Sequence, residues 1–92
     1  MTFEYIKFCV EKFPVLPGES DVDWMDRMGI VSASVNRYAM LIQAMKWAEH
    51  ELRGGWVTQA RVWLNRANAL ASEFDDFNGV PFTFEDVEAW SA

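Results

Sequence analysis

Few residues in this 92-residue chain have the types and spacing to do chemistry, and they fall into three groups. Cys9 and His50 are the single cysteine and the single histidine. A thiol beside an imidazole can act as a nucleophile, because the base takes the proton and the thiolate attacks. These two lie in different helical runs, and a lone cysteine on a wide apolar helix face reads as core. Asp21-x-Asp23-x-x-Asp26 has the carboxylate spacing of the start of a calcium loop. It lacks the glycine of the sharp turn and has Ser32 where the twelfth, bidentate acid belongs. Ser20-Asp21-Val22-Asp23 is better explained as a capping box with Asp in place of Glu, its acids complementing a helix N-terminus. Gly54-Gly55 has no Lys or Ser/Thr in a phosphate-cradling pattern and reads as a helix stop. The expectation is therefore a chain without catalytic residues, metal ligands or cofactor.

The third group is the stretch Glu73 to Trp90. Residues 1 to 72 hold eight acids against all eight Lys and Arg, so they sum to zero. Glu73, Asp75, Asp76, Glu85, Asp86 and Glu88 have no base among them, and the whole net charge of −6 sits in the last twenty residues. No basic surface of the kind that binds nucleic acid or an anionic membrane is present in this pattern. Acids interleaved with aromatics suit a basic groove on another protein, with charge steering the encounter and Trp or Phe anchoring it. The expected partner-binding residues are Asp75, Asp76, Phe77, Glu85, Asp86, Glu88 and Trp90, facing solvent around a partly exposed Phe77 or Trp90. The plainer alternative is a solvated acidic tail that aids solubility.

The elements that must position these groups read as helices at about 3–13, 21–28, 33–53, 57–74 and 84–90, an all-α single domain. Tyr38, Leu41, Ile42, Met45, Ala48 and Leu52 recur at the helical period, as do Ala60, Trp63, Leu64, Ala67, Leu70, Ala71 and Phe74. Only Gly54-Gly55 separates the two runs, so they form an antiparallel hairpin, with a shorter helix on either side. Thr2 can cap the first helix, whose stripe is Phe3, Ile6, Val10 and Phe13, widened by Tyr5, Phe8 and Cys9. In the second helix Val22, Met25 and Met28 should face inward, with Trp24 packed on a neighbour. Ser32 or Ser34 is the expected N-cap of the long helix. Thr58, Arg61, Asn65, Asn68 and Ser72 make a polar face on its partner. Thr83 and Asp86 cap the last helix, whose Phe82, Phe84, Val87 and Trp90 should dock on the hairpin.

The long helix carries a second apolar face at Met40, Ala44 and Trp47. The first helix should cover that face, and a second subunit is the other candidate. With 51% apolar residues, 5 Trp and 7 Phe, the chain has more apolar surface than one small core hides, which points to a dimer.

From Trp47 to Leu70 the chain resembles a single tetratricopeptide-type hairpin, with Gly55 at the turn, Ala60 and Ala67 as small packing positions and Leu64 between them. The resemblance implies hairpin geometry. Stacked-repeat architecture needs about three copies, and one is present. In size, charge and lack of catalytic residues the chain is similar to phage-encoded inhibitors such as anti-CRISPR and anti-restriction proteins. The expected function is accordingly a non-enzymatic acidic inhibitor or adaptor that docks on the basic surface of a protein that handles nucleic acid. The alternatives are an assembly subunit, or a homo-oligomer binding a small ligand through Lys46, His50, Arg53 and Arg61. The N-terminus lacks the basic-then-apolar order of a secretory signal, and no apolar run reaches about 18 residues, so a cytoplasmic location is expected.

Overall fold

Two helices, α3 (Ser32–Arg53) and α4 (Val57–Ala71), fold back on one another to make the hairpin that everything else packs on. A computed structural model describes residues 1–90. The remaining helices are α1 (Phe3–Lys12), α2 (Asp21–Met28) and α5 (Phe84–Trp90), and no strand occurs among the described residues. The turn closes because Gly55 takes φ +81°, which lets its N–H bond Leu52 O at 3.1 Å and the Trp56 N–H bond Glu51 O at 2.9 Å. This ties up the last α3 carbonyls. Gly29 (φ +70°) ends α2 in the same way, its successor Ile30 bonding Met25 O at 2.9 Å.

Register along the hairpin is set by two side-chain pairs. The indoles of Trp47 and Trp63 stack at 6.1 Å, and Arg37 Nε donates to Glu73 at 2.7 Å. In both pairs the residue numbers sum to 110, as an antiparallel seam requires. Ala44, Ala48, Ala60 and Ala67 are all buried, so the helices approach closely where small residues allow it. Leu41 and Met45 of α3, Leu64 of α4, Ile6 and Cys9 of α1 and Val87 of α5 complete the core with Trp24 and Ile30.

Several expectations change. The second face of α3 is the edge of one broad buried arc, and α4 takes that edge through the Trp47–Trp63 stack, in place of α1. Ala44 is only 1% exposed and cannot belong to an external interface, whereas Met40 and Trp47 stand on the rim at 43% and 40%. The α1 helix instead rests on α3 through Phe3 against Tyr38. Val10 and Phe13 are exposed, as is Val22 of α2; Ile6, Cys9 and Trp24 are buried, and Phe3, Met25 and Met28 pack against the core, the two methionines as expected. Trp24 packs as expected and donates from its indole to Phe13 O. Ser20 Oγ accepts the Asp23 N–H at 3.1 Å, the N-cap half of the expected box, with Asp21 and Asp23 in the first turn of α2. Val31 is the N-cap of α3 without a side-chain bond, and Ser34 is buried in the first turn. The α4 helix stops at Ala71, three residues before the expected Phe74, which is nonetheless buried.

Candidate functional site: an acidic aromatic cleft

After α4 the chain must return across the hairpin, and polar side chains fix its path. Asp76 reaches the start of α1, where its Oδ1 accepts the Phe3 N–H at 2.9 Å and its Oδ2 accepts the Glu4 N–H at 3.1 Å. Those amides belong to the unsatisfied first turn of a helix, so Asp76 acts as a cap supplied from far along the chain. Thr2 Oγ1 satisfies Tyr5 N–H beside it, at 3.1 Å. Asn78 Oδ1 then accepts the Val80 N–H at 3.0 Å across Gly79 (φ +83°) and turns the chain back.

Asn68 of α4 brackets the returning strand-like segment at Phe82. Its Oδ1 accepts the Phe82 N–H at 2.6 Å and its Nδ2 donates to Phe82 O at 3.2 Å. The half-buried Asn68 is therefore a docking clamp and leaves the polar face expected for α4. Arg61 also leaves that face, its guanidinium lying 4.9 Å from the Phe84 ring centroid. The Thr83–Asp86 box forms, with the Thr83 N–H donating to Asp86 Oδ2 at 2.8 Å and the Asp86 N–H reaching Thr83 Oγ1 at 3.4 Å. Phe3 joins the pieces: its ring is 5.2 Å from Tyr38, 5.6 Å from Phe74 and 6.1 Å from Trp90, and Trp90 meets Phe82 edge-on at 5.7 Å.

These contacts leave a cleft of ≈ 370 Å³ between the start of α1 and the 76–82 loop, lined by Phe3, Glu4, Lys7, Asp76, Phe77, Phe82, Asp86 and Trp90 among others. A second recess of ≈ 580 Å³ shares Lys7, Phe82, Asp86 and Trp90 and adds Glu11 and Tyr38. Four carboxylates (Glu4, Glu11, Asp76, Asp86) face one ammonium, Lys7, so the combined lining carries −3. Partial burial raises the Asp76 carboxyl's pKa, but the amides of Phe3, Glu4 and Asp76 itself and the nearby terminal amine outweigh it. The net result is a carboxyl held below the ordinary aspartate value.

Of the residues expected at the site, the cleft brings together Asp76, Phe77, Asp86 and Trp90. Asp75 pairs with the Met1 amine instead. Glu85 is exposed outside the cleft, and Glu88 lines a separate recess of ≈ 260 Å³ with Glu49, Leu52 and Arg53. All six acids from Glu73 to Glu88 are exposed, yet Asp76 and Asp86 are engaged as helix caps and Glu73 in an ion pair. Trp90 is half-buried in the aromatic cluster, which makes Phe77, at 38%, the more open aromatic. Local spacing carries no signal for Phe3, Glu4, Lys7 and Glu11, which α1 contributes from the other end of the chain.

Other candidate chemistry disperses. Cys9 is buried in the core, whereas His50 is exposed with its ring edge-on to Trp47 at 5.4 Å. Lys46, His50 and Arg53 do share a recess of ≈ 520 Å³ with Glu49 and Trp90, but Arg53 is ion-paired to Glu49 at 2.6 Å. Among the described residues no three His, Cys, Asp or Glu side chains converge as a metal site, and no helix is long and apolar enough to cross a membrane. No protein-family model, curated protein or solved structure matches the chain.

Proposed function

We propose that this chain is a non-enzymatic protein-binding domain, an acidic inhibitor or adaptor that takes a basic segment of its partner into the acidic aromatic cleft. The observation that supports this reading is the meeting of Asp76, Phe77, Asp86 and Trp90 with Glu4 around one concave surface. A partner's arginine or lysine finds carboxylates to pair with there. It also finds ring faces, over which a cation gains about 0.5–2 kcal/mol. The excess charge steers such a segment in from solution. Basic surfaces of this kind are commonest on proteins that handle nucleic acid, and a small acidic domain seated on one blocks or redirects it, as phage anti-defence inhibitors do.

Titration with an arginine-rich peptide tests the proposal. Nuclear magnetic resonance shifts should concentrate at Phe77, Phe82 and Trp90, and affinity should fall steeply with salt. An equally charged acidic peptide should leave the same signals unmoved. Shifts spread over the whole surface, or none in the cleft, would overturn the reading.

A further inference from the structure

The hairpin has a second side, away from α1 and α5, and it is also apolar. Trp47 of α3 stacks on Trp63 of α4, and the seam that sums to 110 places Met40 beside Leu70. Trp47 and Met40 are exposed at 40% and 43%, on the rim of the buried arc described above, while Trp63 and Leu70 are partly covered. Glu51 follows Trp47 by four residues and Arg66 follows Trp63 by three, so the helical period puts both beside the stack. The face is thus a ladder of cross-helix apolar pairs with charges of both signs along it.

We infer that this face binds a second copy of the chain, so that two hairpins pack back to back as an antiparallel four-helix arrangement. Charge balance favours this occupant. The chain carries −6, and two copies repel through most of their surfaces. Along this face the Arg37–Glu73 pair is neutral in itself and Arg66 balances Glu51, so identical copies meet here without net repulsion. A two-fold axis across the Trp47–Trp63 stack reverses the helices and brings Glu51 of one copy alongside Arg66 of the other, twice over. Size agrees as well. The 22-residue α3 runs about 33 Å and a two-helix face is about 20 Å wide. That flat footprint of roughly 600 Å² approaches the ~800 Å² of accessible surface buried by each partner of a stable dimer. Paired tryptophans at its centre are the residue type that most often dominates such contacts. The acidic cleft lies on the other side, so a dimer presents two clefts facing outward.

Sedimentation or light scattering of the full chain at high micromolar concentration reads the outcome directly. The expected mass is twice the 10.6 kDa of one chain, with tryptophan emission shifting to the blue as concentration rises. Met40→Glu combined with Trp47→Glu should give a monomer with unchanged helical content. Arg66→Glu, a substitution at an exposed rim position that the fold does not need, should raise the dimer dissociation constant about tenfold at low salt. Restoration by Glu51→Arg in the same chain would establish the cross-copy pairing. A wild-type monomer at this concentration overturns the inference, as does a dimer that neither Arg66→Glu nor the folded double variant weakens. A dimer lost on Phe13→Glu alone would place the contact on α1 and overturn it equally.

Discussion

Asp76 accepts the backbone N–H of Phe3 at 2.9 Å, so a carboxylate in the loop after α4 caps the first helix of the chain. Its other oxygen holds Glu4, and between them the start of α1 and the 76–82 loop become the two walls of one cleft. Asp76 is thus a structural residue inside the proposed site, and its two duties must be separated by experiment.

Asp76→Ala should cost about 0.5–2 kcal/mol, the range for loss of a helix N-cap. For a domain of this size each kcal/mol corresponds to roughly 4–8 °C in Tm. Asp76→Asn keeps one accepting oxygen and should lose less. Hydrogen exchange localises the damage: the amides of α1 should lose protection well before those of α3. Uniform loss across both helices would mean that Asp76 does not hold α1 in place.

The same carboxylate gives stability a defined dependence on acid. Its folded-state pKa lies below the ordinary aspartate value, so folding favours the ionised form. That contribution is complete above the unfolded pKa, about 3.9, and is lost as pH falls through the folded value. Glu19, lowered by its hydrogen bonds from Arg27 and the Leu16 amide, acts with the same sign. Asp76 is exposed, so its share of the effect is modest, whereas the Glu19 side chain is only 13% exposed. Thermal melts from pH 7 down to about pH 2 should therefore fall mainly below pH 4, and less steeply for Asp76→Asn. Parallel curves for the two proteins would remove Asp76 from the acid response.

Asn68 supports a third expectation. Replacing it by Ala leaves the N–H and C=O of a half-buried Phe82 without their partners, at a cost of about 1–3 kcal/mol. Phe82 carries Trp90 by an edge-to-face contact, so the tryptophan should move toward water and its emission toward the red. Trp90→Phe in the same background should abolish that spectral change. If the change persists, the clamp acts on another indole.

What was legible in the sequence follows from the range of the interactions. The helices, the Gly55 turn, the Ser20 cap and the Thr83–Asp86 box depend on residues within a few positions of each other, and they appear where local spacing puts them. The Asp76 cap spans 73 residues and the Asn68 clamp 14, distances over which spacing carries no signal. Both acid and amide looked like ordinary surface residues for that reason. The α3 helix misled differently. Met40, Ala44 and Trp47 form a stripe on a helical wheel, but a wheel does not say which neighbour arrives from which side. Close contact through Ala44 drew α4 onto that stripe and left Met40 and Trp47 at its rim. Four of the seven expected site residues converge on the cleft because the loop and α5 carry them there, while the α1 half of the lining needed the tertiary structure.

Charge reversal is the test of steering, and the structure decides where to make it. Asp76→Lys would remove the α1 cap and confuse lost folding with lost binding. Glu4 lines the cleft and Glu85 stands outside it on α5, both exposed, and neither side chain caps a helix. Both stand in the first turn of their helices, so Glu4→Lys with Glu85→Lys should cost on the order of 1 kcal/mol through the helix dipoles, which a thermal melt separates from the binding effect. The pair inverts two charges of the field that a basic segment meets. Stopped-flow mixing with the arginine-rich peptide should show association slowed roughly tenfold at low salt, with release little altered. The difference should shrink as salt is raised, since the screening length falls from about 10 Å at 0.1 M to roughly 3 Å at 1 M. Phe77→Ala should do the converse, because an anchoring ring acts after contact: release quickens while association stays near wild type. Identical association rates for wild type and the double reversal at low salt would reduce the acidic segment to a solubility device. The Trp47–Trp63 face would then be the surface left to bind a partner.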